Sequence, residues 1–379
     1  MKRILKYLSF ALFFSCNSGE DSFVIAAEQY QSVDSIGNDN QISFLHISDT
    51  HGSDISIRPM IEALNNSDCD FAVITGDILP SESTIDYIAS SEKPVLMVIG
   101  NHDAYDGYGQ NGFRENVLNR MKFPNIVYGD PNACYYHIDF YKKNYSLRVI
   151  CLDQYEIDTE GRASKNCSVI SQKQMDWFIR ILAESVYFTK VIVLMHQGFG
   201  NASIGKRNLD NSNAFISIFA KDYPRGYYHI GNTSPFMIPD ILNAYLTGVD
   251  MVNKVYPTGY KKEEILVNTH FEKPHANFVG FFGGHIHMDC IEYLPYYENQ
   301  LQVLMAYSGK GTGSRWNDLV KTGTGDASYN FNCNVVDFKN SELKIYRYGA
   351  KLKVDSTMRD SIIFPLKHAY NIKSKKNGK

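Results

Sequence analysis

The sequence predicts a layered α/β fold whose chemically active side chains gather at one edge of its sheets. Three observations predict it. Nearly continuous apolar runs of four to seven residues recur along the chain, the pattern of strands covered on both faces. Helix signals lie between these runs, and strand, helix, strand in alternation indicates α/β. Several of the runs stop on Asp, Asn or His.

The chain has 379 residues, 44% of them hydrophobic and 13% aromatic, ample material for one large domain or two ordinary ones. Basic and acidic side chains number 38 and 41, a formal net charge of -3. So weak a field excludes a partner held by bulk charge, and no nucleic-acid-binding signal is present.

Taken in order, residues 1–16, "MKRILKYLSFALFFSC", place Lys2, Arg3 and Lys6 ahead of a short apolar run that ends at Ser15 and Cys16. A basic region followed by an apolar run too short to span a bilayer reads as a signal for export. The ending resembles a bacterial lipoprotein signal, which implies lipidation of Cys16 and a lipid anchor in a membrane, with the chain on the periplasmic or outer surface. Residues 17–40 read as a flexible, polar tether, and the folded domain is expected over 41–365, with a basic tail at 366–379. The other cysteines, Cys69, Cys134, Cys151, Cys167, Cys290 and Cys333, form no C-x-x-C pair, so no disulfide scaffold or zinc knuckle is indicated. Cys69 and Cys151 adjoin apolar runs and read as small buried hydrophobes.

The expected strands are "ISFLHISD" (42–49), "FAVITGD" (71–77), "PVLMVIGNHD" (94–103), "LRVICLD" (147–153), "KVIVLMHQG" (190–198) and "VGFFGGHIH" (279–287). Between them, Pro59 marks the first turn of one helix. Ser171 and Gln174 form a capping box ahead of Trp177, Phe178, Ile181 and Leu182. Pro239 starts a third helix, with Leu242, Tyr245, Leu246 and Val249 on one face. Beyond residue 290, "IEYLPYY", "QVLMAYSG", "NVVDF" and "ELKIYRYG" read as consecutive antiparallel strands, with a hairpin turn at Lys339, Asn340 and Ser341. Residues 199–275, rich in Tyr and Asn, read as an insertion near the site.

The strand endings converge. Asp49 and His51 close the first run, Asp77 the second, Asn101 and His102 the third, His196 the fifth, and His285 with His287 the sixth. Each alone has an ordinary explanation as a turn or loop residue. Together they put oxygen and imidazole donors on strand C-terminal ends, which collect at one edge of a layered α/β fold.

In these blocks, Asp49-Thr50-His51, Gly76-Asp77, Gly100-Asn101-His102-Asp103, His196 and Gly284-His285-Ile286-His287, the sequence resembles the calcineurin-like metallophosphoesterase family. The resemblance covers roughly residues 42–290. It implies a four-layer α/β/β/α sandwich of two mixed β-sheets, and two divalent metal ions. Asp49, His51 and His287 would hold one ion, Asn101, His196 and His285 the other, and Asp77 would bridge both.

The chemistry of such a set can be stated from the residues. Two carboxylates, an amide and four neutral imidazoles leave about two units of positive charge on two divalent ions, which attracts an anion. Mixed nitrogen and oxygen donors without thiolate suit Mn, Fe, Zn or Co better than Ca or Mg. Two ions can acidify a water and neutralise a phosphoryl group, so the expected reaction is hydrolysis of a phosphomonoester or phosphodiester. His102 is then a candidate general acid and Asp103 a candidate to orient it. Tyr105 and Tyr108 are weaker candidates to contact the phosphate-ester substrate. The alternative from another class is a non-catalytic surface lipoprotein, a binding module that keeps the metal cluster for stability.

Overall fold

A computed structural model describes residues 39–366, apart from 106, 122, 124, 157–169, 200–236, 258–263, 286, 288, 295–296, 310–328, 351 and 355–356. The expected signal, Cys16, the tether and residues 367–379 of the tail lie outside the described residues.

The chain begins with β1 (Gln41–Ile47), α1 (Ile57–Asn66), β2 (Phe71–Ile74), α2 (Glu82–Ala89), β3 (Val95–Met97), α3 (Asn101–Tyr105) and α4 (Gly109–Asn116). It continues through β4 (Val127–Tyr128), β5 (Tyr136–Tyr141), β6 (Ser146–Cys151), α5 (Gln172–Glu184), β7 (Lys190–Gln197) and α6 (Met237–Thr247). Then come β8 (Lys254–Pro257), β9 (Glu264–Val267), β10 (Phe278–Gly284), β11 (Cys290–Leu294) and β12 (Tyr297–Leu304). The last strands are β13 (Asn330–Asp337), β14 (Glu342–Gly349), β15 (Leu352–Val354), β16 (Thr357–Arg359) and β17 (Ser361–Pro365).

Two mixed sheets organise these elements. One has the order β17-β14-β13-β1-β2-β3, with β1, β2 and β3 parallel and the rest antiparallel. The other runs β11-β12-β10-β7-β6-β5-β4, parallel from β12 through β6. The C-terminal strands therefore do not form one antiparallel run, as their sequence suggests. β11 and β12 join the second sheet while β13, β14 and β17 join the first, because β13 pairs with β1, far away in sequence. The predicted turn before β14 is present, with Ser341 at φ 51°.

Burial on both faces is what the apolar runs were made for. Ile192 and Leu194 of β7 join a core shared with β1, β2 and β3, while Val191, Val193 and Met195 face a second core with α5 and α6. Phe44 of β1 meets Phe282 of β10 edge to face, 5.0 Å between ring centres. The Tyr136 hydroxyl on β5 donates to the Met97 carbonyl on β3 at 2.9 Å. Alternation at period two thus gives each central strand two cores to fill.

The helix that Pro239 signals is α6, with Leu242, Tyr245 and Leu246 buried; Val249 falls beyond its end and is exposed. The interval 199–275 also holds the hairpin β8–β9, which the sequence does not announce. Gln172 of α5 stitches that hairpin in place, accepting from the Leu266 N–H and donating to its carbonyl.

The cap of α5 differs from the box expected of it. Ser171 Oγ accepts the Gln174 N–H at 3.1 Å, as predicted. The reciprocal half is supplied by Glu156, whose carboxylate accepts the Ser171 N–H, the Ser171 hydroxyl and the Gln174 side-chain amide. Burial, reinforced by Asp153, raises the Glu156 pKa to about 7, and burial raises Asp153 to about 6. A carboxyl whose folded pKa lies above its unfolded value contributes stability below the ordinary pKa, and that stability is lost as pH rises through the folded value. The expected result is a melting temperature that falls between pH 5 and pH 8. In Glu156→Gln the slope should flatten by about 2 kcal/mol across that window. Calorimetry at the two pH values checks this, and equal slopes for the two chains would refute it.

Candidate metal centre

Each candidate donor stands just past, or at the end of, a strand of the two sheets. β1 delivers Asp49 and His51, β2 Asp77, β3 Asn101, β7 His196 and β10 both His285 and His287. The ladder between β1 and β2 continues beyond the strands: Asp49 N–H donates to the Gly76 carbonyl at 3.0 Å, and His51 N–H to the Asp77 carbonyl at 2.9 Å. These bonds hold a strained backbone. Of the nine non-glycine residues with left-handed φ among the described residues, six are Asp49, His51, Asp77, Leu79, His285 and His287. At roughly 1–3 kcal/mol each, such strain concentrates where function fixes a side chain.

The donors form two groups that share one atom. In the first group, single ligand atoms of Asp49, His51, Asp77 and His287 lie within 4.8 Å of one another. His51 Nε2 is 3.2 Å from His287 Nε2, and His287 Nε2 is 3.2 Å from Asp49 Oδ1. In the second, Asn101 Oδ1 is 3.0 Å from His196 Nε2 and 3.1 Å from His285 Nδ1. Asp77 Oδ2 faces both groups, 3.7 Å from His51 Nε2 and 3.4 Å from His196 Nε2.

Every expected metal ligand is therefore brought to one place. Asp77 Oδ1 accepts the His102 N–H at 2.8 Å, and Oδ2 is the oxygen turned toward both groups. Asp49 is arranged the same way: its Oδ2 accepts the His285 N–H at 2.8 Å, while its buried Oδ1 faces His287 Nε2 at 3.2 Å.

The donor set fits a cation. His196 Nδ1 donates to the Thr75 carbonyl at 2.7 Å, which turns Nε2 into the cluster. Burial opposes ionisation of Asp49 and Asp77, yet the surrounding histidines hold both carboxyls below the ordinary range. Burial opposes a charge on His196 too, but Asp77 and Asp49 outweigh it and raise its pKa to about 9. Burial and His196 together lower His285 to about 3. Two buried carboxylates facing converging imidazole nitrogens is an arrangement that positive charge would complete.

Glycine is required here for closeness. A Cβ on Gly284 would fall inside contact distance of Ser48 Oγ and Asp49 Oδ2, and one on Gly100 would strike Asp77. At neither position is the φ of the left-handed kind, so backbone approach, and no sharp turn, is what excludes a side chain there.

Residues 42–227 match the profile of the calcineurin-like phosphoesterases. Over those residues the chain is a member of the calcineurin-like phosphoesterase family. Two ligand candidates of this calcineurin-like phosphoesterase, His285 and His287, lie past the matched region, and β10 returns them to the site. Among solved structures, a 5'-nucleotidase precursor from Thermus thermophilus aligns with 85% of this chain and 54% of its own, at 11% identity and a TM-score of 0.36. This calcineurin-like phosphoesterase thus spans about half the length of that protein. No curated protein matches it.

The remaining candidates are placed as follows. The His102 ring stands edge-on to His51, 4.9 Å between centres. Asp103 is fully buried and accepts two backbone amides, from Leu79 at 2.8 Å and Gly100 at 2.9 Å. Burial and Asp77 raise its pKa to about 7. Tyr105 is exposed just past His102, whereas Tyr108 donates its hydroxyl to the Pro80 carbonyl at 3.0 Å. One contact has no forerunner in the sequence: the Tyr307 ring lies over His51 and His287, 5.5 and 5.2 Å between centres. Tyr307 follows β12 with no ligand-type residue beside it, so only the pairing of β12 with β10 could have signalled its place.

Proposed function

We propose that this chain is a metal-dependent phosphoric ester hydrolase acting on a phosphomonoester or phosphodiester. Asp49, His51 and His287 would hold one divalent ion, Asn101, His196 and His285 a second, and Asp77 would serve both. The observation that carries this reading is Asp77 Oδ2, one buried carboxylate oxygen turned toward two separate groups of donors. When bound, ions of the Mn, Fe, Zn or Co class supply Lewis acidity toward phosphoryl oxygens and a water acidified toward neutral pH.

The protein's own contribution is placement. Asp49, Asp77 and His196 are buried, while His51 and His287 keep 18% and 14% of their side-chain surface exposed, so a substrate reaches the site from the His51, His287 and His102 side. His102 on that side would give its proton to the departing ester oxygen. Asp103, by gripping the amides of Leu79 and Gly100, fixes the loops that carry Asp77 and Asn101, and so supports His102 through the backbone. Tyr105, exposed beside this face, is our candidate for contact with the alcohol portion of the ester. Export and a lipid anchor at Cys16 complete the proposal and rest on residues 1–16 alone.

The test is hydrolysis of p-nitrophenyl phosphate and bis(p-nitrophenyl) phosphate by the purified chain. Turnover should vanish after chelation and return with added Mn or Zn, and the ratio of the two rates would set monoester against diester preference. Ions that bind at two per chain, with neither ester cleaved under any of the four metals, would count against the hydrolase and for a binding module.

A further inference from the structure

Tyr307 closes the exposed side of the first donor group, and the surroundings of its ring show how. His51 and His287 both sit on loops with left-handed backbone, φ 44° and 58°, and their Nε2 atoms stand 3.2 Å apart. The two nitrogens stand within hydrogen-bond distance, and rings on separate loops that present both atoms to one point need backing. The Tyr307 ring lies against both, near-parallel to His51 at 28° and tilted 40° to His287.

The backbone that carries this ring is fixed on every side. Asn330 donates its side-chain amide to the Tyr307 carbonyl at 3.1 Å, and Ser308 N–H donates to the Ser48 carbonyl at 3.1 Å. Ala306 N–H donates to Asp289 Oδ1 at 3.0 Å, and Asp289 is itself paired with Arg347 in a bridge whose side chains are only 1% and 3% exposed. Asp289 lies two residues past His287, so its bond from the Ala306 N–H ties the loop of the histidine to the loop of the ring. Gly309 completes the seat: a Cβ there would press on the Tyr307 hydroxyl, 2.7 Å away, and on the Thr50 carbonyl.

We infer that Tyr307 is a positioning residue that holds His51 and His287 in ligand geometry for the first of the two metal groups. This rests on the two-metal reading above. The outer partners of metal-binding histidines typically set metal affinity by about 10- to 100-fold. Aromatic contact is what Tyr307 supplies here, so a phenyl ring should replace it and an aliphatic side chain should not.

The experiment is calorimetric titration of the metal-free full chain with Mn²⁺, comparing the unsubstituted protein, Tyr307→Phe and Tyr307→Leu. The expected result is two binding events in the unsubstituted chain, one of them weakened about tenfold in Tyr307→Leu and restored to within about twofold in Tyr307→Phe. Equal affinities in all three chains would overturn the inference alone, as would a Tyr307→Phe chain as weak as Tyr307→Leu, or equal weakening of both events. A metal-free Tyr307→Leu chain without native circular dichroism would assign the ring to the core and overturn it as well. Absence of Mn²⁺ binding by the unsubstituted chain would overturn the two-metal reading, and this inference with it.

Discussion

Replacing Asp77 with Asn is expected to abolish binding of both ions and to lower ester hydrolysis by about 10³-fold or more, while the fold persists. The substitution preserves shape and removes one negative charge. If the amide oxygen takes over the bond from the His102 N–H, the NH₂ group occupies the position of Oδ2, between His51 Nε2 and His196 Nε2. It can then donate hydrogen bonds to those imidazoles, so the metal-free variant should melt no lower than the metal-free parent. If instead the amide flips, its NH₂ meets the His102 N–H donor to donor, an arrangement that costs about 1–3 kcal/mol and is avoided. Loss of two ions is worth several kcal/mol at the transition state, and each 1.36 kcal/mol is tenfold in rate. Metal analysis, melting temperature and turnover on one preparation check all three statements; retention of two ions in D77N would end the assignment of a shared ligand.

His102→Ala is expected to lower kcat by about 10²- to 10³-fold on an alkyl phosphate while metal content stays at the parent value. The separation follows from which atoms of His102 do what. Its backbone N–H, which alanine keeps, is the group that bonds Asp77 Oδ1. Its ring, which alanine loses, stands edge-on to His51 on the open side of the site. A p-nitrophenolate leaving group departs without a proton, so the same variant should lose far less on p-nitrophenyl phosphate than on an alkyl ester. Equal losses on the two esters would remove His102 from proton transfer, and loss of metal would give its ring a supporting role.

The parts of this architecture that were legible in the sequence are those where one residue type answers to one physical demand. Strands such as "KVIVLM" are apolar throughout because both faces are covered, and Ser171 precedes α5 because a helix start needs an acceptor. The metal-ligand candidates were legible because Asp, Asn and His end several apolar runs in one chain, a conjunction that ordinary turns do not require. What was not legible depends on pairing between distant segments. Glu156 completes the α5 cap from 15 residues away, and nothing in its neighbourhood marks it. The separation of β12 from β13 into different sheets follows from β13 pairing with β1, a contact no local pattern encodes. The division of labour within Asp77 depends on the His102 amide, a backbone atom that every residue possesses.

His51 and His287 are 236 positions apart, and the rings that meet between them belong to strands in different sheets. A chain emerging from the ribosome therefore has no complete first group until β10 has been made and has paired with β7. Contacts this remote in sequence form late and make for slow folding. An ion held there would stabilise only chains that extend through His287, since no fragment ending before residue 287 contains all of its donors. Retention of an ion at the proposed first group would therefore mark a chain made and folded at least through His287, and copies truncated before that residue would be distinguishable by their failure to hold it.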